Sequence, residues 1–159
     1  MKNFCLIGNP VTKSLSPKIH NNSFTYNKIE GIYTTFEVEE KNLGEIIKSL
    51  IMLNYKGFNV TIPYKEKIFD YLDEIDESAK IIGAVNTVKI ENGKLIGYNT
   101  DYLGFKYTLK ERNILLENKK ACIIGSGGAS KAIAFACASL NPGSITILNR
   151  TIQRAEELK

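Results

Sequence analysis

Three features of the 159-residue chain predict an α/β fold. Short apolar runs of strand character alternate with amphipathic helical stretches from end to end. A glycine-rich turn, Ile124-Gly125-Ser126-Gly127-Gly128-Ala129, joins one such run to a helix of small residues. With 43% hydrophobic and 24% charged residues the chain sits at the globular mean, which excludes a disordered one.

Phe4 to Gly8 reads as a first strand, because its short apolar run ends in a turn and does not continue as a secretory signal would. Ser16-Pro17 opens a helix, with Ser16 as N-cap and proline at the first position. Ile32 to Val38 is a second strand. Leu43, Ile46, Ile47, Leu50 and Ile51 then keep the spacing of a one-faced helix. Gly57 to Ile62 is a third strand ended by Pro63, with a short helix over Tyr64 to Phe69 and a further helical stretch between Asp70 and Lys80. Ala84 to Ile90 and Lys94 to Asn99 pair as a hairpin around Asn92-Gly93. Asp101 to Asn113 is a bridging helix, which sets a domain boundary near residue 100. Beyond it come a strand at Ala121 to Ile124, a helix from Ser126 to Leu140 and a strand at Ser144 to Leu148. A last helix starts at Thr151, and no Gly or Asn stop signal follows before Lys159, so the sequence is expected to end within an element.

Composition narrows the function classes. The 21 basic against 17 acidic residues give a net charge of +4, mild and dispersed, which speaks against a nucleic-acid surface and suits small anions. No run approaches the roughly 18–20 apolar residues of a bilayer span. Cys5, Cys122 and Cys137 are an odd, widely spaced set without a CxxC pair. Neither a disulfide framework nor a zinc site is expected, and a reducing cytoplasm is. Cys5 and Cys122 lie in apolar strand patterns and read as core residues.

The chemistry-bearing residues fall into two groups. Strand, glycine-rich turn and helix start form an anion cradle of Gly125, Ser126, Gly127, Gly128 and Ala129, with Ser130 where a third glycine would stand. The next strand ends Asn149-Arg150-Thr151 with Arg154 one turn on, where an NAD site would place a carboxylate. Arg112, Arg150 and Arg154 are the chain's only arginines, and two guanidinium forks here favour the 2′-phosphate of NADP. In the first half, Asn59 and Thr61 project to one side of their strand, and Lys65 follows Pro63 in the first turn of the expected helix, where the dipole disfavours a cation unless it works. Taken alone, Lys65 is a surface lysine, and Ser16 and Asp101 are ordinary N-caps. Ser14 has no such explanation. Asn86, a poor strand former in an apolar run, either satisfies neighbouring backbone or meets a ligand. His20, the only histidine, reads as structural.

Gly8-Asn9-Pro10 with Ser14-Leu15-Ser16-Pro17, Asn59-Val60-Thr61-Ile62-Pro63-Tyr64-Lys65, Gly83-Ala84-Val85-Asn86-Thr87, Asn99-Thr100-Asp101, the Gly125 loop and Asn149-Arg150-Thr151 with Arg154 follow one another as in shikimate dehydrogenases. The chain resembles that family over its whole length. The resemblance implies a three-layer α/β/α substrate domain over residues 1–100, followed by the first part of a Rossmann dinucleotide-binding domain over residues 101–159. It implies that Ser14, Ser16, Asn59, Thr61, Lys65, Asn86 and Asp101 bind substrate, and that Lys65 and Asp101 form the catalytic pair. It further implies that NADP is held by the Gly125 loop and by Asn149, Arg150, Thr151 and Arg154. The activity implied is reversible reduction of 3-dehydroshikimate to shikimate with NADPH. The alternatives are an NAD-using quinate/shikimate dehydrogenase and a non-catalytic shikimate-binding module. The expected partner is the small-molecule substrate, without nucleic acid or membrane, for a monomer or homodimer. Residues 121–159 supply only the first two Rossmann strands, so the 159-residue chain by itself is expected not to sustain normal NADP-dependent turnover.

Overall fold

A computed structural model describes residues 1–158 and divides the chain into two compact units. The first comprises Met1–Asp76 and Val85–Tyr98; the second takes in Glu77–Ala84 and the residues from Asn99 onward.

The first unit is built on a six-stranded sheet. Its strands are β1 (Lys2–Gly8), β2 (Gly31–Glu37), β3 (Gly57–Val60), β4 (Glu74–Ile75), β5 (Thr87–Glu91) and β6 (Lys94–Tyr98), in the order β2-β1-β3-β5-β6-β4. β1 pairs in parallel with both β2 and β3, which explains why Cys5, Leu6 and Ile7 are buried without alternation. Helix α1 (Ser16–Tyr26) links β1 to β2, and α2 (Leu43–Met52) links β2 to β3. Because parallel crossovers are right-handed and these two run in opposite directions from β1, the helices belong on opposite faces. α2 buries Leu43, Ile47 and Leu50, the stripe its spacing predicts. β5 and β6 form the expected hairpin, with Asn92 and Gly93 at φ +52° and +79°, as a type I′ turn requires.

Two local expectations for this region are corrected. No α-helix covers Tyr64 to Phe69: a turn leads into a 3₁₀ segment, Lys67–Tyr71. Tyr64 and Ile68 are both fully buried, and the Tyr64 hydroxyl donates to the Val38 carbonyl, so packing of two anchors sets the path in place of helix propagation. Lys65 lies in a turn ahead of the 3₁₀ segment, so no helix dipole opposes its charge. The stretch from Asp70 to Lys80 is not one helix either. Glu74–Ile75 pairs in parallel with β6, and only then does α3 (Glu77–Ile82) begin, in the second unit.

The second unit also holds α4 (Asp101–Glu111) and a βαβ arrangement of β7 (Lys120–Ile124), α5 (Gly128–Ala138) and β8 (Ser144–Leu148), followed by α6 (Ile152–Glu156). β7 and β8 pair in parallel. Ala132 on α5 packs with Ile82 and Ala84, while Tyr102 and Phe135 meet edge to face at 5.2 Å. Cys5 is buried as expected, and Cys122 is not. α5 covers one face of the β7–β8 pair, and Cys122 and Ile124 lie exposed, with Ile123 buried between them. No helix among the described residues is long and apolar enough to cross a membrane.

Candidate functional site

In a sheet ordered β2-β1-β3 the chain crosses from β1 to β2 on one side and then back past β1 to β3 on the other. The crevice at the carboxyl ends of β1 and β3 is therefore the topological switch point, the usual ligand position in such sheets. Most substrate-site residues expected in the first unit are placed around it. Gly8 ends β1, and a Cβ there would stand 2.9 Å from the Ile62 carbonyl oxygen, so the loop after β3 crosses too closely for any side chain. The Asn9 and Thr61 N–H groups donate across this junction to the Ile62 and Ile7 carbonyls at 2.9 and 3.0 Å.

Asn59, in β3, is the centre of a polar cluster. Its Oδ1 accepts from the Tyr33 hydroxyl at 2.7 Å, and its Nδ2 donates to the Asn86 carbonyl at 3.1 Å and to Thr87 Oγ1 at 2.9 Å. Thr87 Oγ1 in turn donates to Asn86 Oδ1 at 3.0 Å. β5 runs antiparallel to β3 with Thr87 opposite Asn59, which brings residues distant in sequence to the same sheet end. Asn86 satisfies neighbouring backbone, one of the two alternatives its sequence context left open: its carbonyl accepts the Val60 N–H, and its side-chain oxygen accepts from Thr87. Burial pushes the Tyr33 phenol well above its ordinary value, with the Cys5 thiol adding to the shift and a hydrogen bond with Ser16 opposing it. Burial alone carries the Cys5 thiol up to about 12.

Ser14 and Ser16 exchange the roles expected of them. α1 starts at Ser16 without a side-chain cap from Leu15, and Ser14 Oγ accepts the Ser16 N–H at 3.2 Å. Ser14 therefore has a local structural task, and its hydroxyl also donates to Ser16 Oγ at 3.1 Å. His20 stacks on the Tyr33 ring, centroids 4.2 Å apart and 9° from parallel, and burial lowers its pKa, which fits a structural role. Lys65 lies in the loop after β3, where its carbonyl accepts the Val85 N–H at 2.8 Å, so its backbone is tied to the segment that leads into β5.

Asp101 belongs to the second unit, at the first position of α4. It is not the N-cap. The buried Asn99 takes the Asp101 N–H on Oδ1 at 3.0 Å and donates from Nδ2 to the Ala84 carbonyl at 2.8 Å, so capping does not account for the Asp101 carboxylate.

The glycine-rich turn sits between β7 and α5. Gly125 has φ +108°, a conformation L side chains rarely adopt, and Gly127 is the extended N-cap of the eleven-residue α5. Ser126 is buried beside them, and Gly128 and Ala129 form the first turn, whose N–H groups have no intrahelical acceptor. Such a cradle fits a pyrophosphate. At the end of β8, Asn149 Nδ2 donates to the Thr151 carbonyl at 2.8 Å, Thr151 precedes α6, and Arg150 and Arg154 are exposed. Residues 141–155 contain no carboxylate side chain, which suits a phosphorylated ribose better than a bare one.

Tyr33 and Thr87 were not among the residues the sequence singled out. The alternation of β2 places Tyr33 on a buried face, as for any core tyrosine, and only the pairing of distant strands shows what its hydroxyl meets.

Comparison with known proteins is consistent across methods. Residues 6–88 match the family described as shikimate dehydrogenase substrate binding domain, and residues 108–159 match the family described as shikimate / quinate 5-dehydrogenase. A curated Methanococcus maripaludis protein named shikimate dehydrogenase (NADP(+)) is 52% identical over 96% of the chain, which covers 54% of that protein. A similarly named protein of Caldanaerobacter subterraneus is 51% identical over 99% of the chain and 56% of its own. The crystal structure of a Thermus thermophilus shikimate 5-dehydrogenase in complex with NADP(H) and shikimate superposes with a TM-score of 0.92 at 37% identity, over 99% of this chain and 59% of that one. The chain spans about half the length of the curated relatives it matches.

Proposed function

From the premise that the chain belongs to the shikimate dehydrogenase family, we propose that it serves the NADP-dependent, reversible reduction of 3-dehydroshikimate to shikimate. The reading applies to the whole protein at its relatives' length. Residues 1–100 act as the shikimate-binding catalytic part and residues 101–159 as the first part of the NADP-binding domain. The single observation that carries the reading is the polar cluster at the β1/β3 switch point, where the Tyr33 and Thr87 hydroxyls meet the Asn59 and Asn86 carboxamides.

Ser14, Ser16, Asn59, Thr61 and Asn86 are suited to a polyol carboxylate, since each offers a neutral donor or acceptor on a fixed backbone. Bound NADPH supplies the hydride that reduces the ketone carbon. Lys65 gives a proton to the oxygen as charge develops on it, and in the reverse direction takes the hydroxyl proton. Asp101 is the second member of the catalytic pair. Arg150 and Arg154 clamp the 2′-phosphate, with Asn149 and Thr151 beside them, and Gly125, Ser126, Gly127, Gly128 and Ala129 receive the pyrophosphate. The cysteine pattern supports a cytoplasmic setting.

The test is an absorbance assay of NADP reduction with shikimate, in a polypeptide of the relatives' length, beside arms with quinate and with NAD. Shikimate with NADP should give the highest kcat/KM. A preference for NAD or quinate would overturn the assignment.

A further inference from the structure

We propose that Tyr33 is a positioning residue of the polyol site, its phenol proton anchoring the oxygen end of the Asn59 carboxamide and, through it, steadying the groups that hold shikimate. This rests on the function proposed above.

The polarity of the cluster follows from elementary chemistry and does not depend on how the amide was assigned. The Asn86 backbone carbonyl only accepts, so the end of Asn59 that faces it must be the nitrogen. The other end is then the oxygen, which only accepts, so Tyr33 must donate. The same nitrogen faces Thr87 Oγ1, which therefore accepts and sends its one proton to Asn86 Oδ1. The Asn86 carbonyl thus sets the direction, and the Tyr33 proton closes it at the oxygen end of Asn59 as the Thr87 proton does at the side chain of Asn86.

Tyr33 is itself held in place by its backbone and its ring. Asn21 of α1 brackets its backbone, accepting its N–H at 2.8 Å and donating to its carbonyl at 2.9 Å. His20 lies flat on its ring. Its pKa, raised by burial, keeps the phenol protonated and able to donate at any pH the enzyme meets. A tyrosine that filled the core and nothing more would need some acceptor; here the acceptor is the residue at the centre of the substrate cluster.

The experiment is calorimetric titration with shikimate of wild type, Y33F, N59A and the double variant, with urea midpoints recorded for each. Y33F keeps the ring and its stack and removes only the proton. Its affinity for shikimate should fall about 5- to 10-fold, the worth of one hydrogen bond. In the N59A background the same change should have no further effect, because its target is gone. A core variant such as I47V, destabilised without touching the cluster, should bind normally. If Y33F does not fold, the buried, hydrogen-bonded Tyr33 hydroxyl proton of the wild type is followed by NMR and should shift on saturation with shikimate. Unchanged affinity in Y33F, an undiminished loss in the N59A background, or a hydroxyl resonance indifferent to shikimate overturns the role of Tyr33 alone. Wild type that does not bind shikimate overturns both this role and the proposed function.

Discussion

Exchanging Asn59 for aspartate preserves size and shape and removes two protons from the middle of the polar cluster. The lost donors are those to the Asn86 carbonyl at 3.1 Å and to Thr87 Oγ1 at 2.9 Å. In their place a carboxylate oxygen faces a carbonyl oxygen. The Asn86 carbonyl still accepts the Val60 N–H at 2.9 Å, so it is not stranded, and the bond from Tyr33 gains strength from the charge. Two lost bonds cost about 1 kcal/mol each, the opposed oxygens and partial desolvation about 1–3 more, and the strengthened bond returns about 1. Asn59→Asp should therefore cost about 2–4 kcal/mol at pH 7. Protonation restores one donor. The folded state then holds the introduced proton more tightly than the unfolded chain, where aspartate titrates near about 3.9. For a group whose folded pKa is raised, the penalty is absent below the unfolded value and grows as pH rises through the folded one. The gap to wild type should widen from about 1 kcal/mol near pH 4 to its full size at pH 7. Urea unfolding at several pH values, followed by far-UV circular dichroism because the chain has no tryptophan, reads the gap as a midpoint shift at constant slope. Asn59→Ala, with nothing to titrate, provides the flat reference. A gap that stays flat for Asn59→Asp, or narrows toward pH 7, would refute the polarity derived for the cluster.

Lys65→Ala, in a polypeptide of the relatives' length, should lower kcat by about two to four orders of magnitude with a much smaller effect on shikimate affinity; near-normal kcat would return Lys65 to the status of a surface lysine. Replacing Arg150 and Arg154 together by neutral residues should weaken NADP far more than NAD, since only NADP carries the phosphate they would clamp, and equal losses for both would remove that assignment. In the native protein a thiol reagent should modify exposed Cys122 first and reach buried Cys5 only on unfolding; equal rates would contradict the burial pattern. Because burial lifts the Cys5 thiol from 9.0 to about 12, stability present below about pH 9 should be lost as pH rises toward 12, and Cys5→Ala should lessen that decline.

Much of this molecule is written in local pattern. Apolar runs and one-faced spacing are read directly from the chain because strand and helix impose periods of 2 and 3.6 on it. Leu43, Ile47 and Leu50 on α2, the Asn92-Gly93 turn and the strand-glycine-helix cradle at Gly125 all followed from such signals. Where residues near in sequence were decided by partners far from it, the pattern misled. Tyr64 and Ile68 are anchored in the core, so the segment around Lys65 became a turn and a 3₁₀ stretch, not a helix. Asn99 took the capping task given to Asp101, and Ser14 that given to Ser16. Cys122 carries the same strand signal as Cys5, yet Cys5 lies in a strand paired on both sides and Cys122 in one whose only partner among the described residues is β8. The site shows the division most clearly. Serines, carboxamides and a lysine at separate points in the chain were visible as candidates. That Tyr33 and Thr87 join them followed only from placing β2, β3 and β5 side by side, because hydrogen-bond partners are chosen by distance and direction in space, which the linear order of residues does not contain.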